Sequence, residues 1–340
     1  MDARDAVVML DLAERRSPAI SGPDGKAALG ELEERLPDLG AAMAWFVDAG
    51  RTDEALRLAN ALYRFWMTKQ RFADGAAWFD RALGAPGGDN VLRGKACLYG
   101  GFMAFWMGDD ATAADLFGRS LEIGRRLADQ PLVSQALGGL ARVALRTDVV
   151  EGRRLAREAL EVSEAAGDAP GRSNAIHLLG VGAQIAGDLL EARDWMTQRL
   201  ALVRATGNEP LIASEACNLS MVERQLGNLQ AAEDLAREAL ELEERSGDQF
   251  TTPFAFSGLA AIATERAQPE RAATLVGAAE AIMAAQGMAW PPDERPHYER
   301  LLAVLPERMG GGAFEHARAT GRLMTIGDAI ALALGGRESG

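Results

Sequence analysis

Apolar residues recur at spacings of three and four along almost the whole chain, which is the pattern of helices that bury one face. No segment shows the strict apolar–polar alternation of a half-buried strand. We therefore predict an all-α chain, with helix ends at capping residues and at glycine or proline. The predicted helices cover about residues 2–16, 26–48, 53–67, 72–83, 91–107, 110–127, 131–146, 149–166, 170–186, 189–206, 209–226, 229–246, 252–266, 269–286, 294–305, 311–322 and 325–334.

The turns between these helices repeat with a period of about 40 residues. Glycine can end a helix in the left-handed conformation, and a following Asp or Asn can cap the next helix. Such pairs or their equivalents occur at 70–71, 108–109, 147–148, 187–188, 227–228 and 267–268. A second series with the same period occurs at 167–168, 207–208, 247–248 and 287–288. Two interleaved series with one period predict two helices per repeat.

Small residues recur at fixed positions after the turns of the first series, which predicts close approach of helix backbones. Four positions after each turn stand Gly75, Ala113, Gly152, Ala192, Ala232 and Ala272. Seven positions farther on the residue is small in every repeat except one, where it is Arg199.

Residue pairs in the first helices, at 100–101, 139–140, 179–180, 219–220 and 259–260, resemble the Leu-Gly-like pair of the tetratricopeptide repeat (TPR). The small residues of the second helices extend the resemblance. It implies a right-handed superhelical solenoid of antiparallel helix pairs, with about 40 residues per repeat instead of about 34. We expect an N-terminal helical cap and a first degenerate repeat over 1–90, five TPR-like pairs over 91–288, and a C-terminal helical cap over 289–340.

Composition narrows the functional classes. With 36 basic and 49 acidic residues, the net charge is −13, and this disfavours direct nucleic-acid binding because phosphate recognition needs clustered basic side chains. Two cysteines, Cys97 and Cys217, cannot form a disulfide framework or a zinc cluster. No run of about 18 apolar residues could span a membrane. The N-terminus does not resemble a secretory signal, so we expect a cytoplasmic chain.

Longer segments match one type of bacterial protein in the same order. These segments are LGAAMAW at 39–45, ERAATLVGAAE at 270–280, FEHARATGRLMT at 314–325 and AIALAL at 329–334. They resemble the C-terminal TPR-like region of large LuxR-type and related signal-transduction ATPase regulators. The resemblance implies a sensor or interaction module in transcriptional regulation, either a part of a regulator or free-standing. The chain has no Gly-x-x-x-x-Gly-Lys-Ser/Thr phosphate loop, and we expect no cofactor and no metal.

The TPR pattern projects a set of first-helix residues onto the concave face of the superhelix, where repeat proteins bind partners. Since the set mixes apolar side chains with a few polar ones, we expect a groove for a partner protein, a peptide or a small effector. Packing between repeats is the competing interpretation for its aromatic members. The predicted groove residues are Arg64, Met67, Leu98, Phe102, Phe105, Trp106, Asn174, His177, Gln184, Cys217, Met221, Arg224, Phe254 and Glu265.

A second functional class stays open: a free-standing protein that closes around a small molecule, as a carrier or as an enzyme with acid–base chemistry. His177, Glu223 and Glu265 would then be the catalytic residues. For each of them an ordinary structural or solvated position is the competing interpretation. The oligomeric state stays open as well.

Three further features are expected to be structural. An aromatic cluster that includes Tyr63 and Trp66 is interpreted as the core of the N-terminal cap. The loop at 84–89 is interpreted as a flexible joint, because it is rich in Gly and Pro. The Trp-Pro-Pro segment at 290–292 is interpreted as the start of the C-terminal cap.

Overall fold

The computed structural model describes residues 1–22, 24–246, 250–286, 288, 290 and 294–335. Across these ranges the chain is all-α and contains no strand, which confirms the prediction from the periodicity. It forms two compact units, residues 1–175 (unit 1) and 176–340 (unit 2). The boundary falls within one helix, α10 (Ala169–Ala186). The predicted turns at 247–248 and 287–288 and the prolines at 291–292 lie wholly or partly outside the described residues.

Unit 1 contains nine further helices and a short 3₁₀ turn at Pro18–Ser21 within the described residues. The helices are α1 (Ala3–Arg16), α2 (Gly25–Glu34), α3 (Leu36–Asp48), α4 (Thr52–Thr68), α5 (Phe72–Gly84), α6 (Val91–Met107), α7 (Asp110–Leu127), α8 (Gln130–Ala144) and α9 (Val149–Ala166).

Successive helices of unit 1 pair as a two-helix repeat requires: α6 packs on α7, α8 packs on α9, and α6 also contacts the neighbouring first helices α4 and α8. The turns have the predicted chemistry. Gly108 is left-handed with φ 81°, and the Asp109 side chain accepts a hydrogen bond from the Thr112 amide. Asp148 caps α9 in the same way through the Glu151 amide.

The small residues allow bulky side chains to enter between helices. Phe117 of α7 is fully buried, and its ring lies against Gly101 of α6 and Gly139 of α8. A Cβ at Gly139 would lie 2.4 Å from the Phe117 ring. The first helices of adjacent repeats are therefore held in register around this ring.

Two segments of unit 1 differ from expectation. The helix predicted over 26–48 is two helices that divide at Arg35, because Pro37 in the first turn of α3 has no N–H for an unbroken helix. The loop at 84–89, which was interpreted as a flexible joint, is held in place by side-chain hydrogen bonds to backbone carbonyls within and beside it. Arg93 donates hydrogen bonds of 2.8 Å to the carbonyls of Leu83 and Ala85, and the Thr52 hydroxyl donates to the Pro86 carbonyl at 2.6 Å.

Unit 2 contains further helix pairs and ends with the three helices α16, α17 and α18. Its described helices after α10 are α11 (Leu189–Thr206), α12 (Glu209–Gln225), α13 (Leu229–Ser246), α14 (Thr252–Glu265), α15 (Pro269–Ala285), α16 (Arg295–Met309), α17 (Gly311–Leu323) and α18 (Ile326–Leu334).

The C-terminal helices of unit 2 depart from the repeat, because α15 packs extensively on α17. Glycines bring these two backbones together: a Cβ at Gly277 would lie 1.9 Å from the Arg318 carbonyl oxygen, and one at Gly321 would lie 1.9 Å from the Thr274 carbonyl oxygen. No other residue fits at either crossing point without moving a backbone.

Candidate partner-binding site

Aromatic rings form a half-buried layer on the first helices of unit 1. Tyr63 of α4 stacks on Tyr99 of α6, with ring centroids 4.1 Å apart and planes 10° apart. Phe102, one turn along α6, lies 6.3 Å from Tyr63 and packs edge-on against the buried Phe117 at 5.1 Å. Tyr63, Tyr99 and Phe102 are each half-buried, so the layer is anchored in the core and still presents ring surface to solvent.

Two arginines, Arg64 of α4 and Arg142 of α8, act electrostatically on the tyrosines of this layer. Burial raises the pKa of the Tyr63 hydroxyl, and the positive charges of Arg142 and Arg64 oppose that shift. Arg64 also opposes the rise that burial imposes on the pKa of Tyr99. We refer to Tyr63, Arg64, Tyr99, Phe102 and Arg142 as the aromatic–arginine face.

Asn174 orients one of these arginines. The Nη2 of Arg142 donates a hydrogen bond of 2.8 Å to the Asn174 Oδ1. An arginine held in this way presents its planar fork in a fixed direction, at a smaller entropic cost of binding than a mobile side chain.

The other predicted groove residues of unit 1 divide between surface and core. Met67 and Trp106 are half-buried, and Trp106 stacks on Phe72 with centroids 6.2 Å apart. Leu98 and Phe105 are buried in the core. The Arg146 guanidinium covers the Phe105 ring at 3.9 Å, so this end of α6 is occupied by packing within the unit.

In unit 2 the first-helix surface is covered by the chain itself. Trp290 packs edge-on against Phe254 of α14 at 5.9 Å and stacks on Tyr298 of α16 at 4.5 Å. His297 of α16 reaches α12: its Nδ1 lies 3.3 Å from the Arg224 Nη2, and its Nε2 lies 2.9 Å from the Gln225 Nε2. Twelve of the fourteen residues of α14 are buried as a result.

We refer to Trp290 and α16, which lie over α14, as the cover. Hydrogen bonds centred on Glu280 stabilise it. Arg318 of α17 donates to both oxygens of Glu280 at 2.7 and 3.0 Å, and the Tyr298 hydroxyl donates to Glu280 at 2.5 Å. Burial raises the pKa of Glu280, but the hydrogen bonds from Arg318, Tyr298 and Arg322 outweigh it and leave the pKa below its ordinary value.

The buried carboxylate of Glu215 explains the exception in the small-residue series. The Oε1 of Glu215 lies 2.9 Å from the His177 Nδ1 and 3.6 Å from the Arg199 Nε. Burial lowers the pKa of Arg199, and the charge of Glu215 opposes that shift. Arg199 therefore stands where its neighbours in the series are small because it compensates a buried charge.

The remaining predicted residues of unit 2 have partners or are buried. The Gln184 amide lies 2.8 Å from the Met221 sulfur, and Cys217 is buried. Among the three acid–base candidates, Glu265 pairs with Arg224 at 2.9 Å and Glu223 accepts a hydrogen bond of 2.6 Å from Asn228. Across the described ranges, no hydrogen bond or ion pair joins His177 to Glu223 or Glu265.

Several residues of these sites are missing from the sequence-based set, among them Arg142, Tyr99 and His297. Arg142 is the only charged residue of α8, and an isolated charge on an otherwise uncharged first helix could have marked it. Tyr99 lies on one helical stripe with Phe102 and Trp106 at spacings of three and four, which could have marked it too. His297 has no local signal, because its partners lie more than 70 residues away.

No described helix is long and apolar enough to cross a bilayer. Among the described residues, no group of three or more His, Cys, Asp or Glu side chains could hold a metal ion.

Comparison with known sequences gives a distant match. No protein-family model matches the chain. Two curated relatives, from Mycobacterium bovis and Mycobacterium tuberculosis, carry a provisional assignment as HTH-type transcriptional regulators, and each is 24% identical over 236 residues. The match covers 66% of this chain and 26% of those proteins. The chain therefore corresponds to about a quarter of the relatives it matches.

Solved structures share the architecture over nearly the whole chain. A Rap protein in complex with Competence and Sporulation Factor has a TM-score of 0.60 at 12% identity, covering 97% of this chain and all of that one. A Rap conjugation gene regulator in complex with the Phr* peptide has a TM-score of 0.55 at 10% identity, with 90% and 98% covered. A signal-transduction ATPase with a tetratricopeptide repeat sensor, from Pyrococcus horikoshii, has a TM-score of 0.53 at 13% identity, with 95% and 53% covered.

The likeness to these structures shows the fold. This chain is an all-α, TPR-like helical solenoid of antiparallel helix pairs, as the repeat period and the turn chemistry predict.

Proposed function

We propose that this chain is a TPR-like interaction module of a signalling or transcription-regulating protein, and that unit 1 binds a peptide or a segment of a partner protein on the aromatic–arginine face. The observation that carries the proposal is the stacked, half-buried Tyr63–Tyr99–Phe102 layer flanked by Arg64 and Arg142. Large rigid rings and arginine are the side chains that dominate binding energy at protein interfaces.

The comparisons support this class of function. One similar structure contains the Phr* peptide, and another belongs to a protein with a tetratricopeptide repeat sensor. The mycobacterial relatives carry an assignment to transcriptional regulation. As in the LuxR-type regulators that the sequence resembles, occupancy of the module would change its packing against other parts of a regulator. The expected repeat array over 91–288 and the caps on either side of it belong to the same proposal.

The dimensions of unit 1 fit a short extended segment. Helices in direct contact lie about 8–10 Å apart, so α4, α6 and α8 together span roughly 20 Å. An extended chain rises about 3.3 Å per residue. About six residues would cross the face from Arg64 to Arg142, and the first helices would contact alternate side chains.

The separation of the acid–base candidates favours binding over catalysis. Glu265 and Glu223 are each engaged with a neighbouring residue, and His177 pairs with Glu215. A general acid and base would have to meet at one reacting bond, and these contacts hold the three groups in different pairs.

The test is selection of peptides from a phage-displayed random library on the full chain, followed by titration of the enriched peptides. We expect Phe102→Ala to weaken their binding at least about tenfold, or 1.4 kcal/mol. Phe250→Ala removes a half-buried phenylalanine of unit 2 and should leave binding unchanged. Arg64→Ala tests the face independently of packing, because Arg64 is exposed. Failure to enrich any peptide, or equal binding by all variants, would refute the proposal.

A further inference from the structure

The N-terminal helix α1 and the residue before it carry a concentration of exposed apolar side chains. Eleven large apolar residues are exposed among the described residues, and three of them lie within the first eight positions. These three are Met1, Val7 and Val8, which are 48%, 37% and 49% exposed. The other eight are spread over seven helices. Because single exposed apolar residues are common and clustered ones mark interaction sites, α1 is a candidate contact surface.

The opposite side of α1 is anchored in the core of unit 1. Ala6, Leu10 and Ala13 are buried there. The Asp2 side chain caps the helix by accepting a hydrogen bond of 2.9 Å from the Asp5 amide. A partner would therefore meet a preformed helix, and a preformed surface lowers the entropic cost of binding.

Two opposite charges flank the valines on the same stripe of α1. Arg4, Val8 and Asp11 follow each other at spacings of four and three, which places them on one helical face, and all three are exposed. Arg4 and Asp11 are about 10 Å apart along the axis, so they cannot pair with each other within one helix.

Neither of these two charges is neutralised by a neighbour. No ion pair joins Arg4 or Asp11 to another side chain in the part of the chain that the structure describes. The pKa of Arg57 is raised mainly by its hydrogen bond to Glu14, and the charge of Asp11 is the weakest of the causes that act on it. Both ends of the stripe are thus available to a partner.

The stripe is complementary to itself when two copies of α1 meet antiparallel. In a two-fold contact centred between Val7 and Val8, each residue lies opposite the one equally far from that centre on the other side. Val7 then meets Val8 of the second copy, and Arg4 meets Asp11 at both ends of the contact. In a parallel pair Arg4 would face Arg4 and Asp11 would face Asp11, so repulsion between like charges disfavours that arrangement.

We propose that α1 is a self-association surface and that its partner is the antiparallel α1 of a second copy of this chain. A two-fold contact uses the same surface on both copies and closes at two, so the assembly is a dimer and not a filament. The helix is about 21 Å long, and small contacts of this kind belong to the weak, transient class. This proposal does not depend on peptide binding by unit 1.

The first experiment is sedimentation velocity of the full chain from about 5 to about 500 µM. The average sedimentation coefficient should rise with concentration, and the rise should be smaller at about 1 M salt, because the charge pairs are exposed. Val8→Glu places two carboxylates at the centre of the contact and should weaken association at least about tenfold. Val150→Glu is the matched control, since this valine of α9 is 80% exposed, and it should change nothing.

Charge reversal tests the antiparallel arrangement directly. Arg4→Glu brings two acids together at each end of the contact and Asp11→Arg brings two bases together, so each variant alone should associate at least about tenfold more weakly. An equimolar mixture of the two variants should associate again, because the acids of one copy then face the bases of the other. A chain with both substitutions should associate like the unchanged chain. Arg81→Glu, at an exposed position of α5, makes the same change in net charge and should have no effect.

The outcomes decide the proposal at each step. A sedimentation coefficient that stays constant over the whole range means that α1 does not bind a second copy. If the single charge variants fail to associate and their mixture also fails, Arg4 and Asp11 do not meet across the contact, and the proposal is wrong. Loss of association in Val150→Glu or Arg81→Glu would place the contact elsewhere. All the substituted side chains are exposed, so unchanged helical circular dichroism should accompany every result.

Discussion

The first helices of unit 1 and those of unit 2 are built from similar sequence patterns but end in different states. In unit 1, eight of the seventeen residues of α4 are buried, and Tyr63 and Arg64 retain access to solvent. In unit 2, α14 is buried on nearly all sides, because Trp290 and α16 lie over it. A repeat thus supplies a potential binding surface, and what else the chain places over that surface decides whether it can be used.

The two units also differ in the exposure of an arginine on a first helix. Arg64 of α4 is exposed. Arg224 of α12 is nearly buried, and it is engaged by Glu265 and by His297 of the cover.

The largest effect on stability is expected at the close contact between α15 and α17. Gly321→Ala places a methyl group 1.9 Å from the Thr274 carbonyl, so α17 must move away from α15. Overpacking against backbone should cost about 3 kcal/mol. Hydrogen exchange should then quicken in α14 and α16, while α4 and α6 stay protected as before.

Gly312→Ala is the matched control in α17, because no atom lies within 4 Å of the added Cβ. It should be neutral or slightly stabilising, since alanine favours the helix over glycine. Equal effects of the two substitutions would mean that the close approach of α15 and α17 does not hold the cover.

A direct comparison of the two units comes from paired arginine substitutions. Arg224→Ala should lower the unfolding free energy of unit 2 by about 2 kcal/mol, because it leaves Glu265 and His297 without their donor. Arg64→Ala should change the stability of unit 1 by less than about 0.5 kcal/mol, as is usual for exposed positions. Denaturant unfolding monitored by exchange in each unit measures both, and a larger loss for Arg64→Ala would reverse the comparison.

A smaller effect is expected from the protonation of His297. Burial, and then the charges of Arg224 and Arg300, lower its pKa to about 4. Because the folded-state pKa lies below the unfolded value of about 6.5, the stability from the neutral imidazole is present above pH 6.5 and is lost as the pH falls towards 4. Local opening of α16 should therefore become easier by about 1 kcal/mol or more across that range.

His297→Gln should remove this pH dependence, because glutamine can still contact Arg224 and Gln225 but does not titrate there. His316→Gln, at an exposed histidine of α17, should leave it intact. Exchange of α16 amides, corrected for intrinsic rates, distinguishes the two. A pH dependence that survives in His297→Gln would assign the titration to another group.

The sequence predicted those features that local chemistry determines. The turn at Gly108 and Asp109 and the cap at Asp148 follow from residues within one turn of each other. Within 26–48 the periodicity alone predicted one helix, and a stricter use of Pro37 would have divided it.

Features that depend on distant contacts were not accessible in the same way. The aromatic cluster with Tyr63 and Trp66 was interpreted as cap core, and Trp66 is fully buried in the core of unit 1. Tyr63 packs against the same core but is half-buried and stacks on Tyr99 of another helix, which its own sequence neighbourhood does not show. The cover over α14 depends on His297 meeting Arg224 across 73 positions of sequence. The periodic pattern of α14 looks the same with or without such a cover.

The central claim is that the open first-helix surface of unit 1 binds a peptide, whereas the covered surface of unit 2 does not. The most direct test is photo-crosslinking of a peptide enriched by phage selection, with a benzoylphenylalanine at its centre, to the full chain, followed by mass spectrometry. We expect crosslinks in α4, α6 and α8, competed by the unlabelled peptide and lost in Phe102→Ala. Crosslinks concentrated in α12 and α14, or spread over the second helices, would contradict the claim.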